Sequence, residues 1–183
     1  RRLLPIQRHE MSDIRIGIGE DIHRLAPGKK LVLGGMEIPY SKGLLAHSDG
    51  DVVYHAVSDA LLGALALGDI GKHFRTDDPK WDGAPSRIIV SEVMKLVGEA
   101  GYRVGNLDVV ILAEEPHLSP YVEGMRVNLA FLLNVPMNRV GIQVGTDEGL
   151  GEVGRKEGIR ARASVLLFEK EEREEKTWTT TSD

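Results

Sequence analysis

The 183-residue chain lacks cysteine, an excess of positive charge, a long apolar run and any internal repeat. Each absence removes a class of function. Without cysteine there are no disulfides and no thiolate metal sites, which suits a reducing compartment; a cytoplasmic location is expected. A net charge of -5 leaves no general basic footprint, so no nucleic acid is expected as partner. The longest apolar stretch, residues 60–67, is too short to cross a bilayer, so no membrane is expected either. The opening residues are basic but carry no apolar core region or cleavage site, and they do not read as a secretory signal. Met11 is a candidate natural start. What is present is ordinary for a folded chain: 42% hydrophobic and 28% charged residues, enough for one domain with its own core. The expected organisation is an N-terminal extension over 1–12, one domain over 13–170 and a charged tail over 171–183.

The most informative stretch is 47–64, His-Ser-Asp-Gly followed by a helix expected to start near Asp51. Most of that helix is apolar, and Asp51, His55 and Asp59 stand four apart, which stacks them along one face. A helix start also attracts anions through its free backbone N–H groups. His47 and Ser48 stand where they can add donors. The stretch therefore offers a metal ligand beside a phosphate cradle.

Residues 14–23 begin as an alternating strand and then present Asp21 and His23 two apart, on the same side of an extended chain. Asp-x-His supplies one carboxylate oxygen and one imidazole nitrogen to a zinc-type site. Gly17 and Gly19 fit close backbone packing. Further on, Leu31–Leu33 and Met36–Ile38 read as short strands joined at Gly34-Gly35. Residues 68–83 form a long polar loop without period, a candidate lid. Ser86 is placed to cap a helix over 87–100, with Ile88, Ile89, Val93, Leu96 and Val97 on one face. Strands are expected over 104–113, 140–144 and 160–168, with a helix opened by Ser119-Pro120 running to about Leu133 and a glycine-rich loop over 145–151. The alternation gives an α/β or α+β fold, a mixed sheet with helices packed on one face.

Four pieces together resemble one family closely: Gly17-x-Gly19-x-Asp21-x-His23; Ala46-His47-Ser48-Asp49-Gly50-Asp51 with His55 and Asp59; Asp69-Ile70-Gly71; and Thr146-x-Glu148 with Arg155. The family is 2-C-methyl-D-erythritol 2,4-cyclodiphosphate synthase, of non-mevalonate isoprenoid biosynthesis, and the resemblance spans roughly residues 14–170. It implies a single domain assembling as a homotrimer, with active sites between adjacent subunits. It implies that Asp21, His23 and His55 hold zinc, leaving a fourth position open as in a catalytic site. Glu148 then holds a second divalent ion, Mg²⁺ or Mn²⁺, on the diphosphate. His47, Thr146 and Glu148 are implied as catalytic. Further contacts to the cytidine diphosphate-linked substrate fall to Asp21, His23 and Ser48, to Asp69, Ile70, Gly71 and Asp78, to Ala113, His117 and Leu118 around the cytosine, and to Arg155. The chain departs from the family at several points. Thr76 stands where the first loop carboxylate is usual, with Asp77 as candidate substitute. Gly145 and Asp147 stand where threonines are common. Glu152 stands where some relatives line a central channel with an aromatic, which argues against an apolar channel ligand.

The implied reaction is internal: the 2-phosphate of the substrate attacks the β-phosphorus of its own cytidine diphosphate, and CMP leaves. A phosphate monoester has a second pKa of about 6, so no general base is needed, and the absence of an obvious Ser-His-Asp or lysine nucleophile is consistent. Charge repulsion and geometry oppose the reaction, and two cations with a fixed in-line pose answer both. Positioning alone is worth up to roughly 7–11 kcal/mol in favourable intramolecular cases. Two rivals stand beside this reading. A zinc-dependent phosphohydrolase would use similar ligands but water as nucleophile. A structural zinc module would need a closed site, usually with four protein ligands and often cysteines.

Overall fold

The computed structural model describes residues 13–75 and 84–170. The extension over 1–12, the tail over 171–183 and the loop positions Thr76, Asp77 and Asp78 lie outside the described residues.

Strand β1, Ile14–Pro27, runs well beyond the alternating segment read from sequence. The hairpin β2, Leu31–Leu33, and β3, Met36–Ile38, falls where expected. Its turn glycines Gly34 and Gly35 have φ of 54° and 73°. Two consecutive positive φ values are what a tight two-residue hairpin turn demands, and glycine adopts them without a Cβ penalty. A short strand β4, Lys42–Leu44, follows where only a connection was expected. Three residues carry too little pattern to be read, and β4 exists because it pairs with the end of β1. Helix α1, Val52–Ala64, follows. A four-residue helix α2, Ile70–His73, interrupts the expected loop. Then come α3, Ser86–Glu99, and β5, Tyr102–Leu112. A 3-10 turn over Ser119–Tyr121 leads into α4, Val122–Leu133. The chain closes with β6, Val140–Gly145, the four-residue α5, Gly151–Gly154, and β7, Gly158–Glu169.

The main sheet has the order β4-β1-β7-β5-β6. It is mixed: β5 and β6 are parallel, while the β1–β7, β5–β7 and β1–β4 pairs are antiparallel. Helices cover one face, as expected. On that face β7 presents Ile159, Ala161, Ala163, Val165 and Leu167, all buried, and α1 lies across β1 and β7. The helix is buried nearly all round, with Val52, Val53, Ala56, Val57, Ala60, Leu61 and Leu62 fully enclosed. Two strand glycines set its depth. A Cβ on Gly17 would lie 1.8 Å from the Ala60 carbonyl oxygen, and one on Gly19 would lie 2.1 Å from that of Ala56. Helix backbone thus rests on strand backbone, with alanines at the contact. In α3 the buried apolar side chains are Ile89, Val90, Val93 and Val97, and Ile88 points outward at 38% exposed. The five-residue apolar face read from sequence wrongly includes Ile88 and leaves out the buried Val90.

Among the described residues nothing covers the other face of the sheet at β1. Ile14, Ile16, Ile18 and Ile22 of β1 stand there 50%, 71%, 66% and 39% exposed. Among the described residues no helix is long and apolar enough to cross a membrane.

Candidate metal centre and active site

Asp21 and His23 project from β1 toward α1, two residues beyond Gly19, and His55 meets them from the second turn of the helix. Asp21 Oδ2, His23 Nε2 and His55 Nδ1 form a triangle with edges of 2.9, 3.0 and 3.0 Å. Among the described residues this is the one group of histidine and carboxylate ligands able to hold a metal ion. Nitrogen and oxygen ligands bound tetrahedrally at about 2.0–2.1 Å stand about 3.3–3.4 Å apart. The triangle reaches that spacing with shifts of a few tenths of an ångström, so the residues fit a small divalent cation. Burial pushes the Asp21 carboxyl upward, but hydrogen bonds and charge from His23 and His55 outweigh it and hold the carboxyl well below the usual range. It stays ionised, as a ligand must.

The triangle lies in the wall of a cleft of about 580 Å³, lined also by Leu45, Ala46, His47, Ser48, Ile70, Gly71, Phe74 and Ile89. Thus His47, Ser48, Ile70 and Gly71 line the same cleft as the triangle. Asp69 instead caps α2, its side chain accepting from Lys72 N at 3.1 Å. Asp59, one turn past His55, accepts from Ile70 N at 2.8 Å and ties this rim of the cleft to α1. Burial raises the Asp59 carboxyl, with the Ile70 N–H pulling the other way.

One expectation is overturned. Asp51 does not face the cleft, and the start of α1 offers no free cradle for an anion. Asp51 is fully buried, and its Oδ1 accepts from Val53 N, Tyr54 N and Gly34 N at 3.1, 3.2 and 2.9 Å. Its Oδ2 accepts from Gly35 N at 2.7 Å. The helix start is satisfied by its own carboxylate, which also fastens the β2–β3 turn. Burial drives this carboxyl up to about 6 against the pull of those N–H groups.

A second correction concerns Ser86. It is the first residue of α3 and not its cap; Pro85 occupies that position without a side-chain bond. The Ser86 hydroxyl turns to the site instead, 3.0 Å from His55 Nε2 and 2.5 Å from Asp49 Oδ1. Sequence reasoning gave Asp49 no role and Ser86 the wrong one. The signal available was Asp49 itself, an unexplained carboxylate inside His-Ser-Asp-Gly.

The remaining expected residues gather elsewhere, at the ends of β5 and β6. Ala113 N donates to the Gly145 carbonyl at 3.0 Å, joining the two strand ends. Glu114 Oε1 accepts from Asp147 N at 3.0 Å and Gly149 N at 3.2 Å, which shapes the glycine-rich loop. Within it Thr146 Oγ1 donates to Glu148 Oε1 at 3.0 Å. Glu148 has φ 53°, a left-handed conformation costly for a non-glycine residue and frequent at functional sites. Arg155 is paired with Glu157 at 2.9 Å. His117 is exposed and Leu118 is buried at 4%. Glu152 pairs with Arg160, which also approaches Asp147 at 3.9 Å and Glu20 at 3.8 Å. None of Ala113, His117, Leu118, Thr146, Glu148 or Arg155 lines the cleft of the metal ligands. Both clusters nonetheless sit at the same end of the sheet, since Ile22 of β1 and Leu112 of β5 flank the same residue, Arg160 of β7.

Comparison with known proteins points to one family. The model of the YgbB family matches residues 14–168. A 2-C-methyl-D-erythritol 2,4-cyclodiphosphate synthase of Cupriavidus metallidurans is 51% identical over 156 residues, covering 85% of this chain and 93% of that protein. One from Nostoc punctiforme is 51% identical over 158 residues, covering 86% of this chain and 99% of that protein. A CDP-bound structure of a 2C-methyl-D-erythritol-2,4-cyclodiphosphate synthase superposes with a TM-score of 0.78 at 42% identity, over 84% of this chain and 99% of that one. The bifunctional IspDF of Campylobacter jejuni gives 0.83 at 36% identity, over 87% of this chain but 43% of that longer one.

Proposed function

Since the chain belongs to the YgbB family, that of the 2-C-methyl-D-erythritol 2,4-cyclodiphosphate synthases, we propose that it forms its cyclic diphosphate at the cleft of Asp21, His23 and His55. The activity is cyclodiphosphate formation in isoprenoid biosynthesis. The substrate is 4-diphosphocytidyl-2-C-methyl-D-erythritol 2-phosphate, and the products are 2-C-methyl-D-erythritol 2,4-cyclodiphosphate and CMP. A new P–O bond forms between the 2-phosphate oxygen and the β-phosphorus as the bond to CMP breaks, making the enzyme a phosphorus–oxygen lyase. The observation that carries this reading is the ligand triangle opening onto a cleft large enough for the sugar diphosphate.

Asp21, His23 and His55 are the residues that would hold zinc, and Glu148 the one that would hold Mg²⁺ or Mn²⁺. Such cations lower the repulsion between the two phosphates and stabilise the charge that builds on them. His47 and Ser48 orient the attacking phosphate from the cleft wall. Ile70 and Gly71, held by Asp59, bound the methylerythritol side. Asp69 and Asp78 are further substrate contacts. Ala113, His117 and Leu118 take the cytosine, and Thr146 and Arg155 take the nucleotide phosphates. The Arg155 guanidinium must then leave or share its Glu157 partner.

Among the described residues the nucleotide cluster does not line the cleft of Asp21, His23 and His55, and that supports a homotrimer in which the nucleotide cluster of one copy completes the cleft of the next. The uncovered isoleucines of β1 supply an apolar face for the assembly. The cysteine-free composition supports a cytoplasmic setting.

The test is turnover of that substrate with Mg²⁺, with and without Zn²⁺, read by ³¹P NMR. Metal-dependent CMP in equal amount with cyclic diphosphate is the expected outcome, and His55→Ala removes zinc and turnover together. Phosphate or CMP without the cyclic product would instead identify a zinc phosphohydrolase. A His55→Ala enzyme active without zinc would overturn the ligand assignment.

A further inference from the structure

His55 has two ring nitrogens, and only Nδ1 faces Asp21 and His23. Nε2 points the opposite way, toward the start of α3, and stands 3.0 Å from Ser86 Oγ. Ser86 is 0% exposed. Its hydroxyl lies 2.5 Å from Asp49 Oδ1. Asp49 is itself fixed by two backbone donors, Ser86 N at 3.1 Å and Asp51 N at 3.2 Å. Ser48 Oγ also stands 3.0 Å from Nε2, and it already accepts from Gly50 N at 3.2 Å.

Counting protons gives the chain a direction. A serine hydroxyl has one proton to donate, and a carboxylate only accepts. Of the two oxygens beside it, Asp49 Oδ1 at 2.5 Å and Ser48 Oγ at 3.3 Å, the Ser86 proton goes to the nearer, charged Oδ1, which leaves a Ser86 lone pair facing His55. That lone pair asks for a proton on Nε2. A neutral imidazole carrying its proton on Nε2 has its free lone pair on Nδ1, aimed into the ligand triangle. With the opposite tautomer Nδ1 could not bind a metal. Metal-bound histidines generally depend on such a partner for the other ring nitrogen.

We propose that Asp49 and Ser86 are positioning residues: an Asp49–Ser86–His55 relay that fixes the tautomer and ring orientation of the metal ligand His55. The relay rests on the reading of Asp21, His23 and His55 as metal ligands. The α3 end does not need the Ser86 side chain, since Pro85 precedes it with no side-chain capping bond. Loss of the hydroxyl therefore acts on the site and not on the helix.

The test is competition titration of the full chain with Zn²⁺ against a chromophoric chelator, for wild type, Ser86→Ala, Asp49→Asn and His55→Ala. Ser86→Ala and Asp49→Asn are expected to bind zinc roughly 10–100-fold more weakly, the range typical for partners of metal-bound histidines. Turnover then recovers as zinc is raised. Ser86→Thr, which keeps the hydroxyl, restores affinity relative to Ser86→Ala. An exchange-protected imidazole N–H resonance from His55 in the wild-type proton–nitrogen spectrum is lost in Ser86→Ala, which a merely structural role would not require. Asp49→Asn carries the test alone if Ser86→Ala fails to fold. Wild-type zinc affinity in both variants, with binding abolished by His55→Ala, overturns the relay and leaves the ligands standing. A wild-type chain that binds no zinc overturns both.

Discussion

Replacing Asp51 with alanine should unfold the protein more easily while leaving the metal ligands competent. The sequence places Asp51 in line with His55 and Asp59, but the structure spends its carboxylate on four backbone N–H groups. Loss of a helix cap costs about 1–2 kcal/mol. The Gly34 N–H is buried and would be left without a partner, costing a further ~1–3 kcal/mol. The Gly35 N–H is at an exposed residue and can turn to water. The sum, about 2–5 kcal/mol, is a large share of the ~5–15 kcal/mol that holds a typical domain. In thermal scans it corresponds to a loss on the order of 10 °C for a chain of this size. Equilibrium urea unfolding of the metal-free protein at pH 7 measures the cost directly, and zinc titration of the folded variant should stay within a few fold of wild type. Asp51→Ala that unfolds like wild type but no longer binds zinc would refute the reasoning and restore the ligand stripe. The pH dependence gives a second arm. Burial raises the folded carboxyl from 3.8 to about 6. A raised carboxyl contributes its full stability below pH 3.8 and loses it as pH climbs through 6. At about 1.4 kcal/mol per pH unit, that is roughly 3 kcal/mol. Asp51→Asn cannot titrate, so wild type should lose stability relative to it between pH 4 and 6; a flat difference would refute the buried ionisation.

Three further perturbations probe the rest of the design. Gly19→Ala forces a Cβ to within 2.1 Å of the Ala56 carbonyl, beside His55, so α1 must lift from β1; both melting temperature and zinc affinity should fall, and an unchanged affinity would show that the ligands do not depend on that contact. Glu148→Ala should keep zinc at wild-type stoichiometry but lose turnover at any Mg²⁺ or Mn²⁺ concentration, whereas wild-type turnover would remove Glu148 from the site. Ile16→Glu combined with Ile18→Glu puts charge on the exposed β1 face; light scattering should report monomers in place of the proposed trimer, together with loss of activity, and an oligomer unchanged from wild type would place the interface elsewhere.

The long strands, the hairpin at Gly34-Gly35 and helix α1 were legible because period, turn glycines and caps agree there. What failed was short or non-local. Strand β4 and helix α2 span three and four residues and exist through pairing with β1 and through the Asp59–Ile70 bond. The ligand triad was legible because Asp-x-His on a strand and His55 on a helix each point one way. The fate of Asp51 was not, because helical spacing ranks residues by face and cannot say which of three stacked carboxylate and imidazole groups meets a distant hairpin. Ser86 misled for a related reason. A serine before an apolar periodic run reads as a cap, and only the fold brings Asp49, 37 positions away in sequence, within reach of its hydroxyl.

Spaced four apart on α1, Asp51, His55 and Asp59 do three different jobs along one helix. Asp51 fixes the helix to the β2–β3 turn, His55 meets the strand ligands, and Asp59 holds the cleft rim at Ile70. The glycines of β1 bring helix backbone against strand backbone, so the separation of His55 from Asp21 is set by main-chain contact and not by long side chains free to adjust. One rigid body therefore carries the ligand and the rim together. A substitution that moves α1 must disturb metal binding and cleft shape at once, whereas one in the β5–β6 loops leaves both intact. That asymmetry separates the two clusters mechanically as well as spatially: the helix side carries the ligand triangle and the cleft rim on one element, and the loop side stands apart from it, on left-handed backbone at Glu148.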